Sequence, residues 1–133
     1  MKSWKLVVLG LALGSAASMA QDCVAPAAPQ IPDGEKSSLE EMLAAQKAVK
    51  EFQAANLAYM SCLEPSVNTA EAAAKDAATK VAEKADGAED ALKAANAELL
   101  KAQETYNAAV SMEEEVAGKF NTEIRDYKAA NPG

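Results

Sequence analysis

From Ser37 onward the apolar residues fall into stripes. The first reads Met42, Ala45, Val49, Phe52, Asn56, Tyr59 and Leu63, at alternating steps of three and four. That step keeps a stripe on one face of a helix, and it predicts a helix from about Ser37 to Leu63 with coiled-coil-like packing. Ser37 with Glu40, or Ser38 with Glu41, stands as a capping box at its start. Asn56 lies inside the stripe, where a polar residue either fixes register and partner number or marks a wet end. Glu64-Pro65-Ser66 predicts a stop, because proline disfavours helical geometry in the residue before it and suits the first turn of a new helix.

A second stripe begins after the proline: Val67, Ala74, Ala78, Val81 and Ala85, then Ala88, Leu92, Ala95, Leu99, Ala102, Tyr106, Ala109, Glu113, Val116, Phe120, Ile124 and Tyr127. Alanine takes many of the places. Small residues let two helix axes approach toward the short end of the roughly 8–10 Å range while the larger ones interdigitate. The fold class is therefore all-α, an antiparallel helical hairpin or a three-helix bundle with an alanine-rich seam. Length decides between them at this level. A first helix ending at Leu63 is roughly 40 Å long and an unbroken second one exceeds about 90 Å, so the two cannot cover each other. A turn at Asp86-Gly87 resolves the mismatch and favours three helices, over about 37–63, 66–85 and 88–128, within a helical domain spanning 37–130. The alternative is a continuous rod whose overhang from about Ala88 to Tyr127 pairs with a second molecule.

Upstream of the stripes the chain changes character. Residues 21–36 form a proline-rich arm: Pro26, Pro29 and Pro32 predict an extended course, and Asp33-Gly34 a turn. Residues 1–20 have the layout of a cleavable signal peptide, with Lys2 and Lys5, an apolar run from Leu6 to Leu13, and small residues ending Ser18-Met19-Ala20. The run is short of the roughly 20 residues a membrane span needs. A lipid-attachment signal fits poorly, because Ala20-Gln21-Asp22 before Cys23 lacks the leucine and small residue such signals use. The expected mature start is Gln21, and no membrane insertion is expected after cleavage.

Charge sharpens the picture. The chain has 20 acidic and 13 basic residues, and losing Lys2 and Lys5 with the signal takes the formal charge from −7 to −9. A surface this acidic repels phosphate backbones and anionic headgroups, so nucleic acid is not an expected partner. The two cysteines, Cys23 and Cys62, would meet an oxidising compartment. A disulfide between them is expected, fastening the arm to the end of the first helix and worth roughly 4 kcal/mol in chain entropy.

Little in the chain suggests catalysis. It has no histidine, the commonest general base and metal ligand, and no glycine-rich phosphate loop follows the signal. No cofactor and no metal are expected. Glu113, Glu114 and Glu115 form the one cluster to weigh, as a possible interaction site for a basic partner or a divalent cation. Consecutive helical residues point in different directions, however, which favours an exposed stretch. Tyr59, Tyr106 and Tyr127 read as seam aromatics.

Pro29-Gln30-Ile31-Pro32-Asp33-Gly34, then Met42, Val49-Lys50 and Tyr59-Met60-Ser61-Cys62-Leu63, together resemble an uncharacterised family of small exported proteins of Gram-negative bacteria. These carry a P-x-x-P-D-G arm, a helix and a Y-x-x-C-L ending, with a cysteine just after the signal. The resemblance covers Cys23 to Leu63. It implies export and the disulfide, and it implies no activity.

The expected function is that of a periplasmic or secreted structural or protein-interaction module, not an enzyme, acting through a helical face on a protein partner or by self-association. The alternative is a periplasmic holdase-like chaperone or envelope-stress factor. Against it stands the acidic surface.

Overall fold

In the computed structural model, residues 23–133 are described. The predicted signal peptide lies outside them. The described residues form two helices, α1 Leu39–Ala82 and α2 Ala88–Ala130, packed against each other as an antiparallel hairpin, with residues 23–38 leading in as an extended arm and a turn. No strand occurs among the described residues.

The three-helix expectation is corrected at one point. Helix α1 does not stop at Leu63 but runs through Pro65 to Ala82, so residues 37–63 and 66–85 are one helix. A proline inside a helix forfeits one backbone hydrogen bond, a penalty of roughly 3 kcal/mol. The seam on either side offsets it. Leu63, Ala74 and Ala77 are buried, with Val67, Ala70 and Val81 half-buried between and after them, and all face α2 in an uninterrupted three-and-four rhythm. Breaking at Pro65 would take that whole distal half off its partner. Of the stripe expected over residues 66–85, Val67, Ala74 and Val81 are buried or half-buried, whereas Ala78 and Ala85 are exposed and Ala77 is buried where Ala78 is expected.

With α1 continuous, the length problem disappears. Helices of 44 and 43 residues are each about 65 Å long at 1.5 Å per residue, and they cover each other end to end. No overhang remains for a second molecule to pair with.

The expected turn near Asp86-Gly87 is present. Lys84 takes a left-handed conformation (φ 57°), and its N–H donates to the Val81 carbonyl while the Ala85 N–H donates to that of Lys80, both at 3.0 Å. This is the Schellman arrangement, with lysine where glycine is usual. Gly87, also left-handed at φ 70°, then opens α2. At the other end Ser38 is the N-cap of α1, and the second of the two capping boxes forms: Glu41 N–H donates to Ser38 Oγ at 3.2 Å and Ser38 N–H to Glu41 Oε2 at 2.7 Å.

The larger side chains gather at the end of the hairpin nearest the arm. Met42, Ala45, Val49, Phe52, Val116 and Phe120 form one buried cluster, with Ile31, Ile124 and Tyr127 packed against it. Between Leu63 and Ala109, around the turn, the buried positions are alanines. Apolar area is thus concentrated near the arm, and at about 25 cal/mol per Å² so is the stabilisation it supplies.

Candidate interaction site

The arm lies along the hairpin as a third layer. Cys23 is joined to Cys62 by a disulfide, with Cα atoms 5.7 Å apart. From there Cys23, Pro26, Pro29 and Pro32 are half-buried at every third position, while Val24, Ala25, Ala27, Ala28 and Gln30 are exposed. A period of three is that of polyproline II, which has three residues per turn and no internal hydrogen bonds. The arm's reach agrees: eleven steps from Cys23 to Gly34 at about 3.1 Å each span about 34 Å, against about 30 Å for the α1 stretch from Cys62 back to Met42.

The rear of the arm is pinned by close approach. Gly34 is buried, its N–H donates to Glu123 Oε2 at 2.8 Å, and a Cβ there would overlap the Glu123 carbonyl and sit 2.9 Å from the Tyr127 nitrogen. Only glycine fits. The turn behind it is built by Asp33, whose Oδ1 accepts from Glu35 N–H at 3.1 Å and whose carbonyl accepts from Ser37 Oγ at 2.6 Å. Lys36 closes on the same carboxylate at 2.8 Å. That hydrogen bond holds the Asp33 carboxyl below its ordinary range and pushes the Lys36 ammonium up.

At mid-hairpin the seam is polar. Asn56, 1% exposed, donates through Nδ2 to the Ala109 carbonyl at 2.9 Å and to Glu113 Oε2 at 3.1 Å; its Oδ1 has no partner. Both residues occupy stripe positions and lie nearly equidistant from the turn, so a hairpin brings them together. The pairing was hidden in the sequence only because Pro65 placed them in a different topology. Asn56 therefore sits in a dry seam, and the wet-end reading does not apply.

Beside this pair, Ala25 and Pro26 of the arm close one side of a cleft of about 380 Å³ whose other walls include Asn56, Tyr59, Thr105 and Met112. Tyr59 and Tyr106 are half-buried along the seam and Tyr127 packs against the core cluster.

The three adjacent glutamates separate. Glu113 turns inward and is half-buried on Asn56, whereas Glu114 and Glu115 are exposed. Among the described residues no group of three or more His, Cys, Asp or Glu side chains is placed to hold a metal ion. Of the ion pairs that i, i+4 spacing suggests, Asp76–Lys80 forms at 2.9 Å and Lys47–Glu51 at 3.9 Å, both well exposed. Such pairs add a few tenths of a kcal/mol.

Comparison with protein families, curated proteins and solved structures gives no match. The site is therefore read from its own chemistry. It offers a cleft edged by Ala25 and Pro26 of the arm, one acidic side chain drawn into the seam, and exposed leucines on the helix surfaces. No described helix is long and apolar enough to cross a membrane.

Two features escaped sequence reasoning. The Cys-x-x-Pro-x-x-Pro-x-x-Pro spacing was there to be read as one edge of a polyproline helix. Glu123, by contrast, carries no sequence signal, since it becomes a partner of Gly34 only through a separation of 89 residues.

Proposed function

We propose that the chain is an exported structural or protein-interaction module that acts through its helical faces and carries no catalytic site. One observation carries the reading. Leu39, Leu43, Leu57 and Leu100 are each more than half exposed, although the seam that holds the hairpin is already filled. Leu39, Leu43 and Leu57 are spaced by four and fourteen residues, which places them on one side of α1. Burying a leucine completely is worth roughly 1.5–3 kcal/mol, so a partner that covers three has a usable driving force.

The disulfide fits a chain that matures outside a reducing compartment. An acidic surface favours a protein partner over nucleic acid. The family of small exported proteins that the arm resembles accords with export and the disulfide alone. For the holdase alternative the hairpin tip, Glu83 to Gly87, offers charged and small exposed residues rather than an apolar clamp. Self-association or a second protein remains as the class of contact.

Photo-crosslinking side chains placed at Leu43 and Leu57 in living cells provide the test, with exposed Lys93 on α2 as the comparison site. The reading requires a discrete crosslinked species from the leucine positions, either a dimer of this chain or a single heterologous adduct. Loss of such species, together with a monomer in sedimentation, removes the reading's support. Failure to suppress aggregation of an unfolded outer-membrane protein disposes of the chaperone alternative.

A further inference from the structure

The two ends of the arm are held by unlike means. At the rear, Gly34 is locked against Glu123, Asp33 builds a hydrogen-bonded turn, and Ile31 packs on the core cluster. At the front nothing comparable occurs. Among the described residues, no hydrogen bond joins residues 23–32 to either helix. Prolines cannot donate one, and Val24, Ala25, Ala27 and Ala28 are exposed. The front half is kept on the hairpin by Pro26 and Pro29 resting on it and by the bond from Cys23 to Cys62.

That bond is open to attack. Cys62 lies on the exposed side of α1, while Cys23 is half-buried. Thiol–disulfide exchange depends on access to the sulfur. We propose that the Cys23–Cys62 disulfide is a redox-operated catch on a proline strap: a dithiol reductant opens it, residues 23–30 lift away, and the side of the cleft that Ala25 and Pro26 close, against Asn56 and Tyr59, is opened while the hairpin stays folded.

The exchange balances as follows. A thiolate of the dithiol attacks Sγ of Cys62, forming a mixed disulfide and expelling Cys23 as a thiolate, which takes up a proton. The second thiol of the reductant attacks its own sulfur in the mixed bond and releases Cys62. Two electrons and two protons pass to the protein, and the reductant leaves as a disulfide. Ile31 and Gly34 then serve as the hinge, because their contacts do not involve sulfur. The prolines keep the freed segment stiff, so it swings as a unit.

The strap does not depend on which partner the exposed leucines engage. Its test uses the mature chain, oxidised or treated with dithiothreitol in the cold without denaturant. Hydroxyl-radical labelling of Tyr59, half-buried in the cleft, is followed by mass spectrometry beside that of Met42, a buried core residue. Elastase cleavage within residues 24–30 and far-ultraviolet circular dichroism are read on the same samples. Reduction should proceed natively, raise Tyr59 labelling several-fold, leave Met42 unchanged, open new cleavage sites in the strap and preserve helicity. Cys62→Ser and Cys23→Ser should each give the reduced pattern with no dithiol added. The proposal is overturned if the bond resists reduction until the helices melt, or if Tyr59 stays as protected as before. It is equally overturned if Met42 and helicity are lost together with the strap, since the bond would then be a staple of the whole fold.

Discussion

Truncating Asn56 to alanine tests whether the seam is held by its one buried polar group. The change deletes two hydrogen bonds, a neutral one to the Ala109 carbonyl and one to the Glu113 carboxylate. Together these are worth roughly 2–4 kcal/mol. Two effects reduce the figure: the half-buried Glu113 recovers water, and the Ala109 carbonyl keeps its intrahelical bond. A net loss of about 2 kcal/mol is expected, which lowers the melting temperature by roughly 8 °C or more in a domain of this size. Asn56→Leu should behave differently. It removes an Oδ1 that is buried without a partner, a burden of roughly 1–3 kcal/mol, and adds apolar area of similar volume. The leucine variant should therefore melt no lower than the parent, while its pairing register becomes less uniquely specified. Urea melts of the parent and both variants give the energies, and the dispersion of backbone amide resonances reports the register. An alanine variant within about 0.5 kcal/mol of the parent, the spread of an ordinary surface change, refutes the reasoning. So does a leucine variant as unstable as alanine.

Other substitutions probe the rest of the frame. Gly34→Ala drives a Cβ into the Glu123 backbone and breaks a bond to a carboxylate, so thermal melts should show a loss of about 2–3 kcal/mol with greater proteolysis of the arm. Pro65→Ala restores a backbone N–H inside a continuous, exposed stretch of α1, and urea melts should show a gain of about 1–3 kcal/mol; a loss would mean that the proline is needed in the folded state. Lys84→Gly relieves a left-handed residue and should stabilise by about 0.5–1 kcal/mol in the same assay. Acid should weaken the start of α1. The hydrogen bond from the Ser38 backbone holds the Glu41 carboxyl below its ordinary value of 4.5, so its contribution is complete above the unfolded pKa and disappears as pH falls through the lower folded one. The stability difference between the parent and Glu41→Gln should accordingly be constant near neutrality and close as the solution is acidified, as followed by melts across pH 2–7; a difference that widens in acid contradicts the assigned shift.

Much of the architecture was written locally. The step of three and four carried from Met42 to Leu63, and from Ala88 to Tyr127, named the inward face of both helices, and each of those positions is buried or half-buried. Serine followed by glutamate three residues later marked the cap at Ser38. Two cysteines, with a single way to pair, marked the bridge. All of these depend on residues near one another in the chain, or on a count of two with a single way to pair.

Tertiary packing decided what those rules leave open. Pro65 carries the strongest local stop signal in the helical region, yet the helix passes through it, because the seam beyond gains more from α2 than the proline forfeits. Gly34 reads as a turn residue, but its need to be glycine comes from the Glu123 backbone lying against it. Asn56 and Glu113 are each an ordinary polar break in an apolar stripe until the hairpin sets one on the other. The sequence determined which faces turn inward, since periodicity is a property of a single helix. Which faces meet, and which penalties are tolerated to let them meet, is a property of the pair, and only the folded hairpin sets it.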